Sequence, residues 1–294
     1  MAEFTLAIAS GKGGTGKTLI STNLSVLTSE EEGLTVLVDC DAEAPNDHLF
    51  FPQGPRKAHP VEVPIAEVEV SRCSACGLCR DACAFGAIRM LGKARVFGEL
   101  CHPCGVCVAV CPTGAIREVP RRVGEVEILR PAGREQLVLV TGRLDIGQVK
   151  TPNVIQAARS AAGQFPARTV ILDSPPGVAC AAVASLRGAD ALLLVTEPTA
   201  FGLHDLELSL QLGRDLGVPM AVLVNRDVPG DTSVETLCRK WEVPIVARIP
   251  FSRKVAETYA RGGLLVEESP DFRELLRPIP GRMRGLKAGK VVRA

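Results

Sequence analysis

Eight of the chain's 11 cysteines fall between Cys73 and Cys111, a density that asks for metal chemistry. Their order is Cys73-x2-Cys76-x2-Cys79-x3-Cys83, 17 intervening residues, then Cys101-x2-Cys104-x2-Cys107-x3-Cys111-Pro112. Two-residue gaps let a tight loop wrap three thiolates around one corner of a [4Fe–4S] cube, while the fourth cysteine, on a departing turn, points to another cube. The expected ligand sets are therefore crossed. Cys73, Cys76, Cys79 and Cys111 hold one cluster, and Cys83, Cys101, Cys104 and Cys107 hold the other. Gly86-Ala87-Ile88 and Gly114-Ala115-Ile116 repeat in the same phase, although Ala84 stands where the second copy has Pro112. Structural zinc also uses paired C-x2-C steps, but it gives no reason for a third step or a swapped x3 cysteine. Disulfides are the remaining alternative. The opening residues lack a basic n-region and read as cytoplasmic, where thiols stay reduced.

A second constellation is Gly11-Lys12-Gly13-Gly14-Thr15-Gly16-Lys17-Thr18, which fits G-x-x-x-x-G-K-[ST]. It follows an apolar strand pattern, Thr5 to Ser10, and precedes a helical one, Leu19 to Glu30. Glycines let backbone N–H groups turn inward around phosphates, Lys17 brings a charge to the β and γ phosphates, and the Thr18 hydroxyl is a Mg²⁺ ligand. The expected ligands are ATP or ADP with Mg²⁺. Lys12 has no role in the ordinary motif.

The positioning elements alternate. Thr35 to Asp39, Thr169 to Asp173, Ala191 to Thr196, Met220 to Asn225 and Ile245 to Ile249 are unbroken apolar runs, as in strands covered on both faces. Helical patterns at Pro152 to Ala162, Ala179 to Leu186, Leu203 to Leu216 and Ser233 to Trp241 lie between them, so the spacing predicts an α/β, doubly wound, mostly parallel sheet. Proline-rich texture from Phe51 to about Pro120 interrupts it, with returning strands at Glu125 to Arg130 and Leu137 to Gly142. The expected domains are residues 1–58 and 123–276 for the nucleotide-binding body, 59–122 for an inserted cysteine domain, and 277–294 for a loose basic tail. A formal charge of +1 supplies no global field toward nucleic acid, and no apolar run approaches the roughly 18 residues of a membrane span.

With Lys12 included, the loop resembles the deviant Walker A motif of the MinD/ParA/Mrp ATPases and nitrogenase iron protein. Asp39-Cys40-Asp41, Asp173-Ser174-Pro175-Pro176-Gly177, Asn225 and the segment Thr196 to Asp205 add to the likeness, which extends to about Gly263. Together with the cysteines, the chain resembles the members that contain an inserted bacterial-type two-[4Fe–4S] ferredoxin domain. The resemblance implies a nucleotide-dependent homodimer in which Lys12 reaches the partner's phosphates. It assigns Mg²⁺-linked contacts to Asp39 and Asp173, positioning of the attacking water to Asp41, and the adenine contact to Asn225, so that Lys12, Lys17 and Asp41 form the catalytic set. Cys180 lies seven residues after Asp173, the offset of a dimer-bridging cluster ligand in nitrogenase iron protein, but that protein's second ligand cysteine has no match here, and burial as a small apolar thiol is the favoured alternative. Three functions follow as alternatives: assembly or transfer of metal clusters to a client metalloprotein, ATP-gated electron transfer to a redox partner, and MinD/ParA-like positioning with redox sensing.

Overall fold

The computed structural model describes residues 2–287. Strand β1 (Phe4–Ala9) runs into the glycine loop and helix α1 (Lys17–Glu31), and β2 (Thr35–Asp39) follows. A loop and a short 3-10 turn (Asp47–Phe50) lead to β3 (Arg56–Val68). The cysteine segment carries a 3-10 turn (Val70–Arg72), α2 (Leu78–Asp81), β4 (Ile88–Leu91), β5 (Lys93–Val96) and α3 (Val106–Ala109). After it come β6 (Ile116–Leu129), β7 (Leu137–Leu144), α4 (Thr151–Ala162), β8 (Thr169–Asp173), α5 (Cys180–Leu186) and β9 (Ala191–Thr196). The chain continues through α6 (Ala200–Asp215), β10 (Met220–Asp227), α7 (Ser233–Trp241), β11 (Ile245–Pro250) and α8 (Arg253–Ala260). It closes with α9 (Leu265–Glu268), α10 (Pro270–Leu276) and α11 (Ile279–Lys287).

One nine-stranded sheet has the order β11-β10-β9-β1-β8-β2-β7-β6-β3. Every pairing from β11 to β7 is parallel, and β6 and β3 add antiparallel strands at one edge. The apolar runs are explained by burial on both faces. Leu37, Leu139, Ile171 and Leu193 pack with Leu24 and Leu27 of α1, while Val38, Val140, Leu172 and Leu194 pack with Ile155 of α4 and Leu210 of α6. A parallel sheet of this kind places its loops, and hence its ligand crevice, at the carboxyl ends of the strands.

Most of β3 and the outer half of β6 have no counterpart among the expected strands. They form a long antiparallel ladder, from Arg56 opposite Leu129 to Val68 opposite Ile116, that carries the cysteine segment away from the sheet. Pro60, Pro64 and Pro120 lie within it, and proline ordinarily argues against a strand. An edge ladder tolerates them because one side of each strand needs no donor.

The cysteine segment repeats structurally every 28 residues, from Cys73 to Cys101 and from Ile88 to Ile116. Helices α2 and α3 are equivalent four-residue turns. Each is preceded by a left-handed glycine, Gly77 at φ 82° and Gly105 at φ 69°. Gly86 and Gly114 match as well, at φ 62° and 60°, and Ala87, Ile88, Ala115 and Ile116 are all buried.

Residues 277–287 correct the expectation of a loose tail. Helix α11 buries Ile279 and Met283 against the sheet, and Arg284 binds Glu32. Glycine and proline in 279–287 argue against a helix, but Pro280 sits in its first turn, where no amide donor is required. The remainder of the predicted tail, 288–294, lies outside the described residues.

Candidate nucleotide site and cysteine insert

The loop between β1 and α1 is held open by its glycines. Gly16 has φ 101°, and a Cβ there would collide with Nδ2 of Asn225. That amide donates to the Thr15 carbonyl at 2.7 Å, so Asn225, at the end of β10, braces the loop from the side. Lys17 is buried and donates to Ser10 Oγ at 2.9 Å. Burial pushes the Lys17 pKa down, against the opposing pull of Asp173 and Asp41. An ammonium in that position gains from an anion, as a phosphate would supply.

Thr18 donates to Asp173 Oδ2 at 2.8 Å. Asp39 is fully buried and gathers the loop that follows it, accepting from the amides of Asp41 at 3.1 Å, Asn46 at 2.8 Å and Asp47 at 3.1 Å. Burial, then the neighbouring Asp173, raises Asp39 to about 8. Burial also pushes Asp41 up, while Lys17 draws it down. Asp47 is fully buried too, and neither of its carboxylate oxygens has a hydrogen-bond partner. Crowded, unpartnered carboxylates fit a divalent cation. Among the described residues no three Asp, Glu, His or Cys side chains converge on a point that could hold a metal ion. The Thr18 hydroxyl and the carboxylates beside it would suit a hydrated Mg²⁺, since that ion retains much of its water.

Beside the loop lies a cavity of about 240 Å³ lined by Gly14, Gly16, Asn225, Arg226, Phe251 and Tyr259, among others. Its apolar walls and single amide suit a flat heteroaromatic base. Arg226 adopts φ 52° at a bulge in β10, a conformation that costs energy in a non-glycine residue and collects at functional sites. A larger cavity of about 510 Å³, lined by Ile65, Val96, Phe97 and Arg121 among others, lies between the ladder and β5, away from the phosphate loop.

The family model of the CobQ/CobB/MinD/ParA nucleotide-binding domain matches residues 6–266. The chain belongs to this family. It is similar to two uncharacterized proteins of Methanocaldococcus jannaschii. One is 32% identical over 281 residues, covering 95% of this chain and 96% of the relative. The other is 26% identical over 264 residues, covering 87% and 89%. Among solved structures, the septum site-determining protein MinD of Pyrococcus horikoshii, complexed with Mg-ADP, has a TM-score of 0.57 at 20% identity, covering 98% of this chain and 99% of that one. A single-residue variant of Cyanothece McdA, in complex with ATP, has a TM-score of 0.56 at 18% identity, with 100% of both chains covered. At these identities the solved structures show a common fold.

In this CobQ/CobB/MinD/ParA chain the sequence-expected residues Gly11, Gly13, Gly14, Thr15, Gly16, Lys17, Thr18, Asp39, Asp41, Asp173 and Asn225 all lie at or beside one loop. Lys12 is turned toward Glu197, a nearly buried carboxylate that also receives Arg226 at 2.8 Å. Burial would raise the Glu197 pKa, but hydrogen bonds from Lys12 and Arg226 lower it. Glu197, Arg226, Asp47 and Tyr259 belong to none of the motifs that name the site. Only Glu197 carries a signal, as part of the Thr196 to Asp205 segment.

All 11 cysteines are free, and the insert brings related thiols together. Cys79 has Cys111 and Cys73 as its charged neighbours, and Cys107 has Cys101 and Cys104. Among the described residues no three of these thiols converge on a point that could hold a metal ion. Backbone amides of Ala94 and Ala75 lower the Cys73 pKa. Burial raises Cys111, but hydrogen bonds from Thr113 and from the Ala115 amide, at 3.3 Å, outweigh it. Donors aimed at sulfur favour the thiolate over the thiol. Among the described residues, no helix is long and apolar enough to cross a membrane.

Proposed function

We propose that the chain is an ATP-binding and hydrolysing iron–sulfur protein of the cytoplasm, and that nucleotide controls the transfer of metal clusters to a client metalloprotein. The observation that carries this is the 28-residue structural repeat of the cysteine segment, with its paired left-handed glycines and crossed thiol groupings, mounted on a nucleotide-binding body. In this reading residues 59–122 form a two-[4Fe–4S] domain inserted between parts 1–58 and 123–276 of the ATPase. One cysteine of each motif, Cys76 and Cys104, is exposed, which leaves each cluster an edge that client thiols can approach.

The chemistry assigned to each residue follows from its place. Loop amides and Lys17 hold the β and γ phosphates, and the cavity beside Asn225 takes the adenine. Mg²⁺, when bound, supplies charge neutralisation on the phosphates. Thr18 would hold it, Asp173 and Asp39 would act on it through water, and Asp41 would position the attacking water. Lys12 leaves Glu197 to reach the phosphates of a second copy, so hydrolysis belongs to a nucleotide-dependent homodimer.

Labelled iron tests this reading. The protein is reconstituted anaerobically with ⁵⁵Fe and mixed with an apo-ferredoxin under ATP, ADP or neither. Nucleotide-dependent movement of label into the acceptor is the expected result. Clusters that stay while electrons leave would replace it with ATP-gated electron transfer. Absence of both, with ATP-dependent binding to lipid or DNA, would replace it with a MinD/ParA-like positioning role.

A further inference from the structure

Lys150 is an ammonium in an unfavourable place. The residue is 5% exposed, and it stands at the N-terminal end of α4, the positive end of the helix dipole. No carboxylate lies within 4 Å of it among the described residues. Its side chain has one hydrogen-bond partner, the Glu99 carbonyl at 3.2 Å, across the boundary between the nucleotide-binding body and the cysteine insert. Glu99 precedes Cys101 by two residues, and the Cys101 amide is tied back to Gly98 at 3.3 Å. A buried cation with one neutral partner lacks an anion.

The next residue faces the other way. Thr151 donates to Glu43 Oε1 at 2.9 Å, and Leu144 donates to the Ala42 carbonyl at 2.8 Å. Ala42 and Glu43 directly follow Asp41 in the loop beside the phosphate site. Two adjacent residues at one helix end thus bind the phosphate-facing loop and the backbone entering the second cysteine motif.

We propose that Lys150 is the counter-charge to the cluster held by Cys101, Cys104 and Cys107, and that Thr151, through Glu43, makes the strength of that pairing depend on the bound nucleotide. The inference rests on the insert's reading as a two-cluster domain. A [4Fe–4S]²⁺ core with four thiolates is net negative, and taking up one electron to [4Fe–4S]⁺ makes it more so. A nearby buried cation therefore favours the reduced form and raises the potential. Movement of the Asp41–Glu43 loop against Thr151 shifts the first turn of α4 and the ammonium with it.

The test is an EPR-monitored redox titration of the reconstituted full chain, with dithionite as electron donor, in Mg·ADP and in a Mg·ATP analogue. Wild type should show one of two midpoints moving with nucleotide. Lys150→Met should lower that midpoint by at least a tenfold change in the reduced-to-oxidised ratio, about 59 mV for one electron, and leave the other in place. Lys150→Arg should retain it. Thr151→Val should still show two midpoints, neither of them moving with nucleotide. Unchanged midpoints in Lys150→Met, or a nucleotide shift that survives in Thr151→Val, would overturn the proposal while leaving the two-cluster reading intact. A chain that retains no iron would instead overturn that reading and this inference with it.

Discussion

Asp47 and Asp173 are buried side by side, and burial with the neighbouring carboxylates pushes Asp47 well above the ordinary carboxylate range, while no other group donates to either Asp47 oxygen or to Oδ1 of Asp173 among the described residues. An unsatisfied buried polar group typically costs about 1–3 kcal/mol, more when ionised. Asp47 therefore stores a deficit that a cation relieves. Asp47→Asn keeps the shape and removes the charge. Its ligand-free form should be more stable by about 1 kcal/mol, and the further stabilisation by Mg·ADP should shrink. Thermal melts with and without Mg·ADP check this, and an undiminished Mg²⁺ increment would count against Asp47.

The same carboxylates fix a pH dependence. Asp39 rises from its ordinary 3.8 to about 8 on folding, and burial moves Asp47 and Asp173 in the same direction. The folded state then holds protons that the unfolded state has released, so stability is full below pH 3.8 and is lost as pH rises toward about 8 from this group. Mg·ADP should flatten that slope. Urea unfolding across pH 5 to 8, with and without Mg·ADP, measures it.

Gly16→Ala should abolish nucleotide binding with little change in fold, because the left-handed φ is lost to strain and the new Cβ meets the Asn225 amide. Gly13→Ala meets nothing within 4 Å and should be far milder. Equilibrium dialysis with labelled ADP separates the two.

Lys12 and Glu197 hold each other within one chain. Glu197→Gln weakens the hold and should increase ATP-dependent self-association several-fold, whereas Lys12→Ala should remove it. Sedimentation velocity in ATP and ADP reads the difference.

Met283→Ala should destabilise the chain by about 2–5 kcal/mol, the range for a fully buried large side chain. Chemical denaturation checks it. A change below 0.5 kcal/mol, within the ordinary surface range of roughly ±0.5 kcal/mol, would mean that α11 contributes little.

What is legible in the sequence is whatever depends on local spacing. Gly11 to Thr18 announces its loop because phosphate binding needs those residue types in that order, and strands such as Thr169–Asp173 show as apolar runs because both faces are covered. The β3–β6 ladder is hidden because its register pairs residues far apart, Pro64 with Pro120 for example, and its prolines mimic a loop. Helix α11 is hidden because its burial depends on a sheet face formed elsewhere. Asp47 and Lys150 carry no motif, and their meaning comes from partners brought together by folding.

The central claim is that one chain carries both a nucleotide site and two cuboidal clusters. Iron and acid-labile sulfide are to be quantified, with an EPR spectrum of the reduced state, on anaerobically reconstituted protein that also retains ADP. The account predicts about eight iron and eight sulfide per chain, with both lost when Cys79 and Cys107 are changed to serine. A colourless protein, or one holding zinc at these cysteines, would contradict it.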